Sequence, residues 1–353
     1  MDWGGTFPVG RVLGSARVVK PLLQHGGDLQ RACREYGTDL ADWVDLSTGI
    51  NPLGWPVPEI PAAIWQRLPE TPASLFGVAA DYYGCTPGQL LPIPGSQALI
   101  QRLPSLIQAT RVALPDPGYA EHRLAWQQAG ADLFHYPADS DAKALFKVAE
   151  SVELMLVINP NNPSGDRYTP ELLVELARCM RDRQGWLVVD EAFIDLHPEQ
   201  SLAAELGLGN LILLRSLGKF FGLAGARAGF LLGSPELLAQ AAQALGPWPV
   251  SAPALYVSER ALADRCWQQA ARQRVRMAEQ RLVEQLGRLC AGRLGCGGLF
   301  VTLFTPEAAG YHKQLAQQAI WTRLLDGSQG LRFGLPGDEI QWQRLEAALE
   351  PLS

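Results

Sequence analysis

Lys219 is one of only five lysines in a chain that carries twenty-five arginines, and its surroundings set it apart. It sits in Ser216-Leu217-Gly218-Lys219-Phe220-Phe221-Gly222-Leu223-Ala224-Gly225-Ala226-Arg227-Ala228-Gly229, an apolar, glycine-rich stretch. An amine held there is partly withdrawn from water, which lowers its pKa and leaves it nucleophilic enough to form an imine with an aldehyde. Ser216 and Arg227 flank it with a hydroxyl and a planar fork of donors suited to a phosphate. A lone lysine would read as a surface residue and a lone arginine as a turn cap; the fourteen residues together favour the chemical reading.

Other residues carry weaker signals. In Val188-Val189-Asp190-Glu191-Ala192-Phe193 an apolar run delivers Asp190 to its carboxyl end. Taken alone, Asp190 serves equally as the partner of a protonated pyridine nitrogen, as a helix N-cap or as a metal ligand. No second carboxylate cluster accompanies it, so no metal is expected. Asn159-Pro160-Asn161-Asn162-Pro163-Ser164-Gly165 is first of all a turn, yet it follows another apolar run, where an amide could donate to a phenolate oxygen. Pro94-Gly95-Ser96-Gln97-Ala98-Leu99 looks like a tight turn opening a helix, whose free N–H groups suit a phosphate. Tyr119 is either a core tyrosine or a ring that stacks on an aromatic ligand.

Positioning these residues requires a sheet. Arg111–Leu114, Met155–Ile158, Trp186–Val189, Ile212–Leu214 and Gly229–Leu232 are short apolar runs bounded by turn residues, as strands buried on both faces are. Helical patterns alternate with them. The clearest is Thr169–Gln184, with Thr169 as N-cap, Pro170 in the first turn and Leu172, Leu173, Leu176 and Met180 on one face. Strand, helix, strand implies a crossover parallel sheet, and such sheets bind ligands at the carboxyl ends of their strands. After Gly246-Pro247-Trp248-Pro249 the pattern changes to a long polar helix over Ser258–Gly287 and strand-like Leu299–Phe304 and Leu331–Leu335.

At 353 residues, two lobes are expected. Hydrophobic residues make up 47% and charged residues 19%, enough apolar material for a core throughout. The net charge of -6 and the scattered basic residues give no footprint for a nucleic-acid backbone. A small-molecule partner is favoured. The six cysteines show neither CxxC pairs nor zinc spacing and are expected to be reduced, mostly buried thiols. The absence of a signal-like N-terminus and of any 18-residue apolar run leaves no membrane partner and makes a cytoplasmic enzyme the expectation.

Together these residues resemble the class II branch of the fold-type I, aminotransferase-like enzymes that use pyridoxal 5'-phosphate (PLP). Asn162, Asp190, Lys219 and Arg227 fall in that family's order and approximate spacing, and Ser216–Gly229 matches its lysine signature. The resemblance implies an α/β fold: a large domain with a mostly parallel sheet covered by helices, plus a smaller α+β domain. The expected division is an N-terminal arm over 1–54 that packs on the small domain and the active site, a PLP-binding domain over 55–247 and a small domain over 248–353. It also implies that Lys219 holds PLP covalently, that Asp190 meets the pyridine nitrogen and Asn162 the phenolic oxygen. Ser96, Gln97, Ser216 and Arg227 would surround the cofactor phosphate, and Tyr119 would lie on the ring.

Within the branch the chain is most similar to the threonine-phosphate decarboxylases of cobalamin biosynthesis, with histidinol-phosphate aminotransferases as close relatives. His25-Gly26-Gly27-Asp28-Leu29, the segment Asp45–Gly54 and Asp190-Glu191-Ala192-Phe193-Ile194-Asp195 carry this likeness. It implies decarboxylation of an amino-acid phosphate, L-threonine O-3-phosphate, with a histidinol-phosphate-type transamination as the alternative. Arg332, in Leu331-Arg332-Phe333-Gly334-Leu335-Pro336, would clamp the substrate carboxylate. Arg323 and His25 would meet its phosphate, and Gly49, Asn51 and Asn162 would line its space. Phe193 stands where the aminotransferases usually have a tyrosine that bonds the phenolic oxygen. Leu68 replaces a tyrosine that in the relatives reaches a partner subunit's cofactor phosphate. A homodimer with shared active sites is implied.

Overall fold

The computed structural model describes residues 26–289, 292–325, 327 and 329–352. In chain order its strands are β1 (Val44–Asp45), β2 (Leu90–Ile93), β3 (Arg111–Asp116), β4 (Asp132–Pro137), β5 (Leu154–Ile158), β6 (Trp186–Asp190), β7 (Leu211–Ser216) and β8 (Gly229–Leu232), then β9 (Arg293–Cys296), β10 (Phe300–Phe304), β11 (Ile320–Trp321), β12 (Arg323–Leu324) and β13 (Gly330–Gly334). Seven of them make one sheet in the order β2-β8-β7-β6-β5-β3-β4. The neighbours from β7 across to β4 are parallel, whereas β8 runs antiparallel to both β7 and β2.

Residues of β5, β6 and β7 are almost all buried, which is why they appear in the sequence as unbroken apolar runs. Successive side chains still take opposite faces. Met155, Val157, Leu187, Val189, Leu211 and Leu213 enter one core, and Leu154, Leu156, Val188, Ile212 and Leu214 enter the other. The sheet is therefore packed on both sides, and the loops leaving β5, β6 and β7 open at the same edge. Those loops carry Asn162, the end of β6 carries Asp190, and Lys219 follows β7 by three residues.

Two strands lack the apolar runs that announce the others. β2 and β4 are the sheet's outer strands. Pro92 interrupts the first, as prolines do at sheet edges, and five of the six residues of the second are exposed or half-exposed, only Tyr136 being buried. The helix expected at Thr169–Gln184 spans Pro170–Asp182, with Thr169 Oγ1 accepting from Leu172 N at 3.4 Å. The single long helix expected over Ser258–Gly287 is instead two, Ala252–Ala263 and Arg265–Leu286. Asp264 breaks it. Its Oδ1 caps the second helix by accepting from Trp267 N at 2.9 Å, and its Oδ2 accepts from Trp55 Nε1 at 3.0 Å.

β12, β13, β10 and β9 form an antiparallel sheet in that order, and β1 pairs in parallel with β11. The two larger sheets meet at the Asn162 loop. Thr302 Oγ1 donates to the Pro163 carbonyl at 2.6 Å, and a Cβ on Gly295 would collide with the Ser164 carbonyl oxygen. Among the described residues the cysteines differ from expectation: Cys266 is exposed, and Cys33, Cys85, Cys179 and Cys296 are only partly covered, all as free thiols, while Cys290 lies outside the described residues.

Candidate active site

Lys219 lies in the turn between β7 and β8 and points its amine into a cavity of about 120 Å³ lined by Gly95, Ser96, Gln97, Tyr119, Asn162, Asp190, Ser216 and Arg227. Lys219 and Asn162 also line a larger cavity of about 690 Å³, walled by Thr48, Gly49, Phe193, Arg323 and Arg332 among others. Lys219 Nζ sits 5.5 Å from the centre of the Phe193 ring. Burial, reinforced by the nearby Arg332 guanidinium, pushes its pKa down to about 8 despite the opposing Asp190. Among the described residues it pairs with no carboxylate.

The lysine turn is held from the N-terminal side of the chain. The Lys219 carbonyl accepts from Asn51 N at 3.0 Å, Asn51 Nδ2 donates to the Phe220 carbonyl at 2.9 Å, and Trp55 N donates to the Phe221 carbonyl at 2.8 Å. Asn51 is 4% exposed and lies outside the walls of both cavities. Its amide clamps the lysine turn. Gly49 does line the larger cavity, where a Cβ would stand 3.0 Å from both Phe193 and Phe300.

At the end of β6 Asp190 is 4% exposed. Its Oδ1 accepts from Ala192 N at 3.1 Å, and its Oδ2 pairs with His122 Nε2 at 2.9 Å. His122 is 1% exposed and belongs to the helix Ala120–Gln128, which opens immediately after Tyr119. Sequence reasoning missed it. The available signal was its position one helical turn after Tyr119, although nothing in the sequence says that this turn faces β6. Tyr119 OH donates to Gln97 Oε1 at 3.0 Å, and Gln97 Nε2 donates to Glu121 Oε2 at 2.7 Å. The side chain of Gln97 is therefore engaged with Tyr119 and Glu121, so it can serve an anion through its backbone N–H at the start of the helix Ser96–Ile100. Burial raises the Tyr119 hydroxyl to about 12, so it stays protonated.

On the other side of the cavity, Ser216 Oγ accepts from Gly218 N at 3.2 Å, and Arg227 stands exposed with a left-handed φ of 50°. Gly95 has φ 76° and ψ 154°, and a Cβ there would sit 3.2 Å from Arg227 Nη2. Only glycine leaves this cradle open.

Arg332 is central to the outer cavity. It is 8% exposed, its Nη1 donates to Asn162 Oδ1 at 2.6 Å, and its Nη2 donates to the Ser47 carbonyl at 2.8 Å. Its guanidinium lies 5.2 Å from the Phe300 ring centre, and its Nε has no partner among the described residues. Burial first, and then Arg323 opposite it in the β12–β13 ladder, lower its pKa to about 10. A buried cation bonded only to neutral oxygens is prepared for an anion from outside. His25 lies outside the described residues; its neighbour Gly26 lines the same cavity.

The residues gathered here fit PLP. A carboxylate, hydroxyls, a guanidinium and an unpaired, depressed-pKa amine line the same inner cavity. Glycine at position 95 keeps the space beside Arg227 Nη2 clear.

Comparison with known proteins agrees with this geometry. The chain is 47% identical over 329 residues to the threonine-phosphate decarboxylase of Pseudomonas aeruginosa, covering 93% of this chain and 97% of that one. It is 30% identical over 256 residues to the histidinol-phosphate aminotransferase of Aeromonas hydrophila, covering 70% of this chain and 69% of that one. Its fold matches the crystal structure of histidinol-phosphate aminotransferase from Sinorhizobium meliloti in complex with pyridoxal-5'-phosphate, with a TM-score of 0.80 at 21% identity over 97% of this chain and 99% of that one. The family model for aminotransferase class I and II matches residues 67–330, a span that holds the inner cavity's lysine, acid and arginine alike, and the chain belongs to that family.

Proposed function

We propose that this chain is a PLP-dependent decarboxylase that converts L-threonine O-3-phosphate to (R)-1-amino-2-propanol O-2-phosphate in cobalamin biosynthesis. The observation that carries the reading is Arg332, a buried guanidinium without a carboxylate partner among the described residues, set beside Lys219 in a chain 47% identical to a threonine-phosphate decarboxylase. The transamination alternative has weaker support, because the likeness to histidinol-phosphate aminotransferases is lower and shorter.

In this reading Asp190, fixed by His122 and Ala192 N, would hold the pyridine nitrogen protonated. Asn162, its Oδ1 committed to Arg332, would meet the phenolic oxygen through its Nδ2. Ser96, Ser216, Arg227 and the first N–H groups of the helix Ser96–Ile100 would take the cofactor phosphate, and Tyr119 would meet the ring. When bound, PLP supplies an aldehyde for the substrate amine and a ring that accepts the electron pair released at Cα. Arg332 would grip the α-carboxylate, while Arg323 and His25 would take the substrate phosphate. Two anchors fix rotation about the Cα–N bond and so select the carboxylate as the group that leaves. Lys219 Nζ, with its pKa near 8, holds a proton that it can return to Cα.

We also infer a homodimer. Trp65, Leu68 and Trp248 are 65%, 63% and 55% exposed, and Trp248 borders an apolar groove of about 150 Å³ with Pro69, Phe76, Leu91 and Val250. Leu68 brings apolar surface to that face in place of a phosphate-binding hydroxyl. The division into an arm, a PLP-binding domain and a small domain, and a cytoplasmic location, belong to the same proposal; no described helix is long and apolar enough to cross a membrane.

A keto acid decides between the two reactions. The PLP-loaded protein given L-threonine O-3-phosphate and a keto acid should form the amine phosphate and leave the keto acid unconsumed; conversion of the keto acid to an amino acid at the same rate as substrate loss would overturn the decarboxylase reading.

A further inference from the structure

Glu191, Asp195 and Arg215 form a buried ionic cluster that the site described above does not use. They are 1%, 2% and 2% exposed. Arg215 Nη1 donates to Glu191 Oε2 at 3.0 Å, and its Nη2 donates to Asp195 Oδ1 at 2.6 Å. The Tyr82 hydroxyl donates to the same Asp195 oxygen at 2.9 Å. Ser201 Oγ donates to Glu191 Oε2 at 2.7 Å and accepts from Arg215 Nη1 at 3.2 Å, while Leu202 N donates to Glu191 Oε1 at 2.9 Å. The guanidinium lies 4.5 Å from the centre of the Tyr83 ring. Apolar residues of the same volume often stabilise a core as well as such a cluster does, so stability alone does not account for it. Its placement supplies another role.

Glu191 follows Asp190 directly, and Arg215 precedes Ser216 directly. The β6–β7 ladder continues past Asp190, since Glu191 N donates to the Leu214 carbonyl at 2.9 Å. Alternation along the strands sends Asp190 and Ser216 into the inner cavity, and sends Glu191 and Arg215 through to the opposite face. The cavity walls contain the first pair and not the second. Every bond of the fork therefore acts on the reverse side of the backbone that presents the cofactor's ligands. Asp195 extends the grip into the 3-10 turn Ile194–Leu196, which carries the chain away from Phe193.

We infer that Arg215 is a positioning residue for the cofactor: its guanidinium, spanning Glu191 and Asp195, holds the ends of β6 and β7 at the separation that lets Asp190 and Ser216 reach opposite ends of one PLP molecule. This deepens the cofactor reading above and rests on it. A lysine keeps the charge but loses the planar fork, so it can meet one carboxylate and not both. A displacement of the order of an ångström at such a support is enough to weaken a site strongly.

The test is PLP titration into cofactor-free Arg215→Lys, with the pH midpoint of the bound cofactor's absorbance and amide hydrogen exchange at residues 190–192 and 215–217 read beside it. The expected result is a variant that melts cooperatively, binds PLP roughly tenfold or more weakly, shifts the absorbance midpoint and exchanges faster at those amides. A folded Arg215→Lys with wild-type affinity and midpoint overturns the inference. Should that variant not melt cooperatively, Tyr82→Phe and Ser201→Ala, which each remove one bond at the cluster's rim, take its place. Weakened PLP binding in either then supports the inference, and wild-type binding in both overturns it. Wild-type protein that binds no PLP would instead overturn the cofactor reading itself, before any variant is compared.

Discussion

Arg332 Nη1 donates to Asn162 Oδ1 at 2.6 Å, joining strand β13 to the loop after β5 across 170 positions of sequence. The bond orients both groups at once. It occupies the Asn162 Oδ1, while the Arg332 Nε edge has no protein partner among the described residues. Substitutions at position 162 should separate these effects. Asn162→Ala removes one charge-assisted bond, worth about 1.5–3 kcal/mol, and should raise the KM for L-threonine O-3-phosphate by about tenfold or more. Asn162→Asp should raise it further, because a carboxylate beside Arg332 satisfies the charge meant for the substrate. Steady-state kinetics on the two variants checks the order; equal KM values would contradict it.

Lys219 must be neutral to react with an aldehyde. Its amine, lowered to about 8, is mostly protonated at pH 6.5 and mostly neutral at pH 9. The rate of covalent PLP uptake by the cofactor-free protein should therefore rise with pH through about 8 and then level off, as stopped-flow absorbance would record. The same depression means that the unfolded chain binds more protons than the folded one between pH 8 and the ordinary lysine range. Cofactor-free protein should accordingly gain stability from this group as pH rises across that window.

Gly95 holds φ 76° and ψ 154° beside Arg227, a conformation that costs a non-glycine residue about 1–3 kcal/mol. Gly95→Ala adds a methyl group 3.2 Å from Arg227 Nη2. PLP affinity measured by equilibrium dialysis should fall by about tenfold, with the borohydride-trappable bond to Lys219 still formed at saturating cofactor.

Asp264 caps the helix Arg265–Leu286 and holds Trp55 Nε1. Asp264→Ala should destabilise the protein by about 1–2 kcal/mol, seen as a lower Tm, without changing the absorbance of bound PLP.

The sequence announced the parts of the fold that are buried on both sides. β5, β6 and β7 lie between two cores, so nearly every position in them must be apolar. Edge strands β2 and β4 carry no such demand, and their exposure or proline hides them among loops. Asp190 was legible because it closes an apolar run, and Lys219 and Asn162 because their segments follow such runs within a few residues; a parallel sheet brings these ends together. His122, the Ser47 carbonyl and the clamp made by Asn51 were not, because their roles depend on contacts across 68, 285 and 169 positions that no local pattern encodes. The break at Asp264 has the same origin: its second bond, to Trp55, exists only once the chain has folded.

The most direct measurement is CO2 release from L-threonine O-3-phosphate by the PLP-loaded protein without any keto acid, run beside Lys219→Ala. Release by the wild type, abolished in Lys219→Ala, is the predicted result; no release from a wild-type protein that demonstrably holds PLP on Lys219 would contradict the assignment of the reaction.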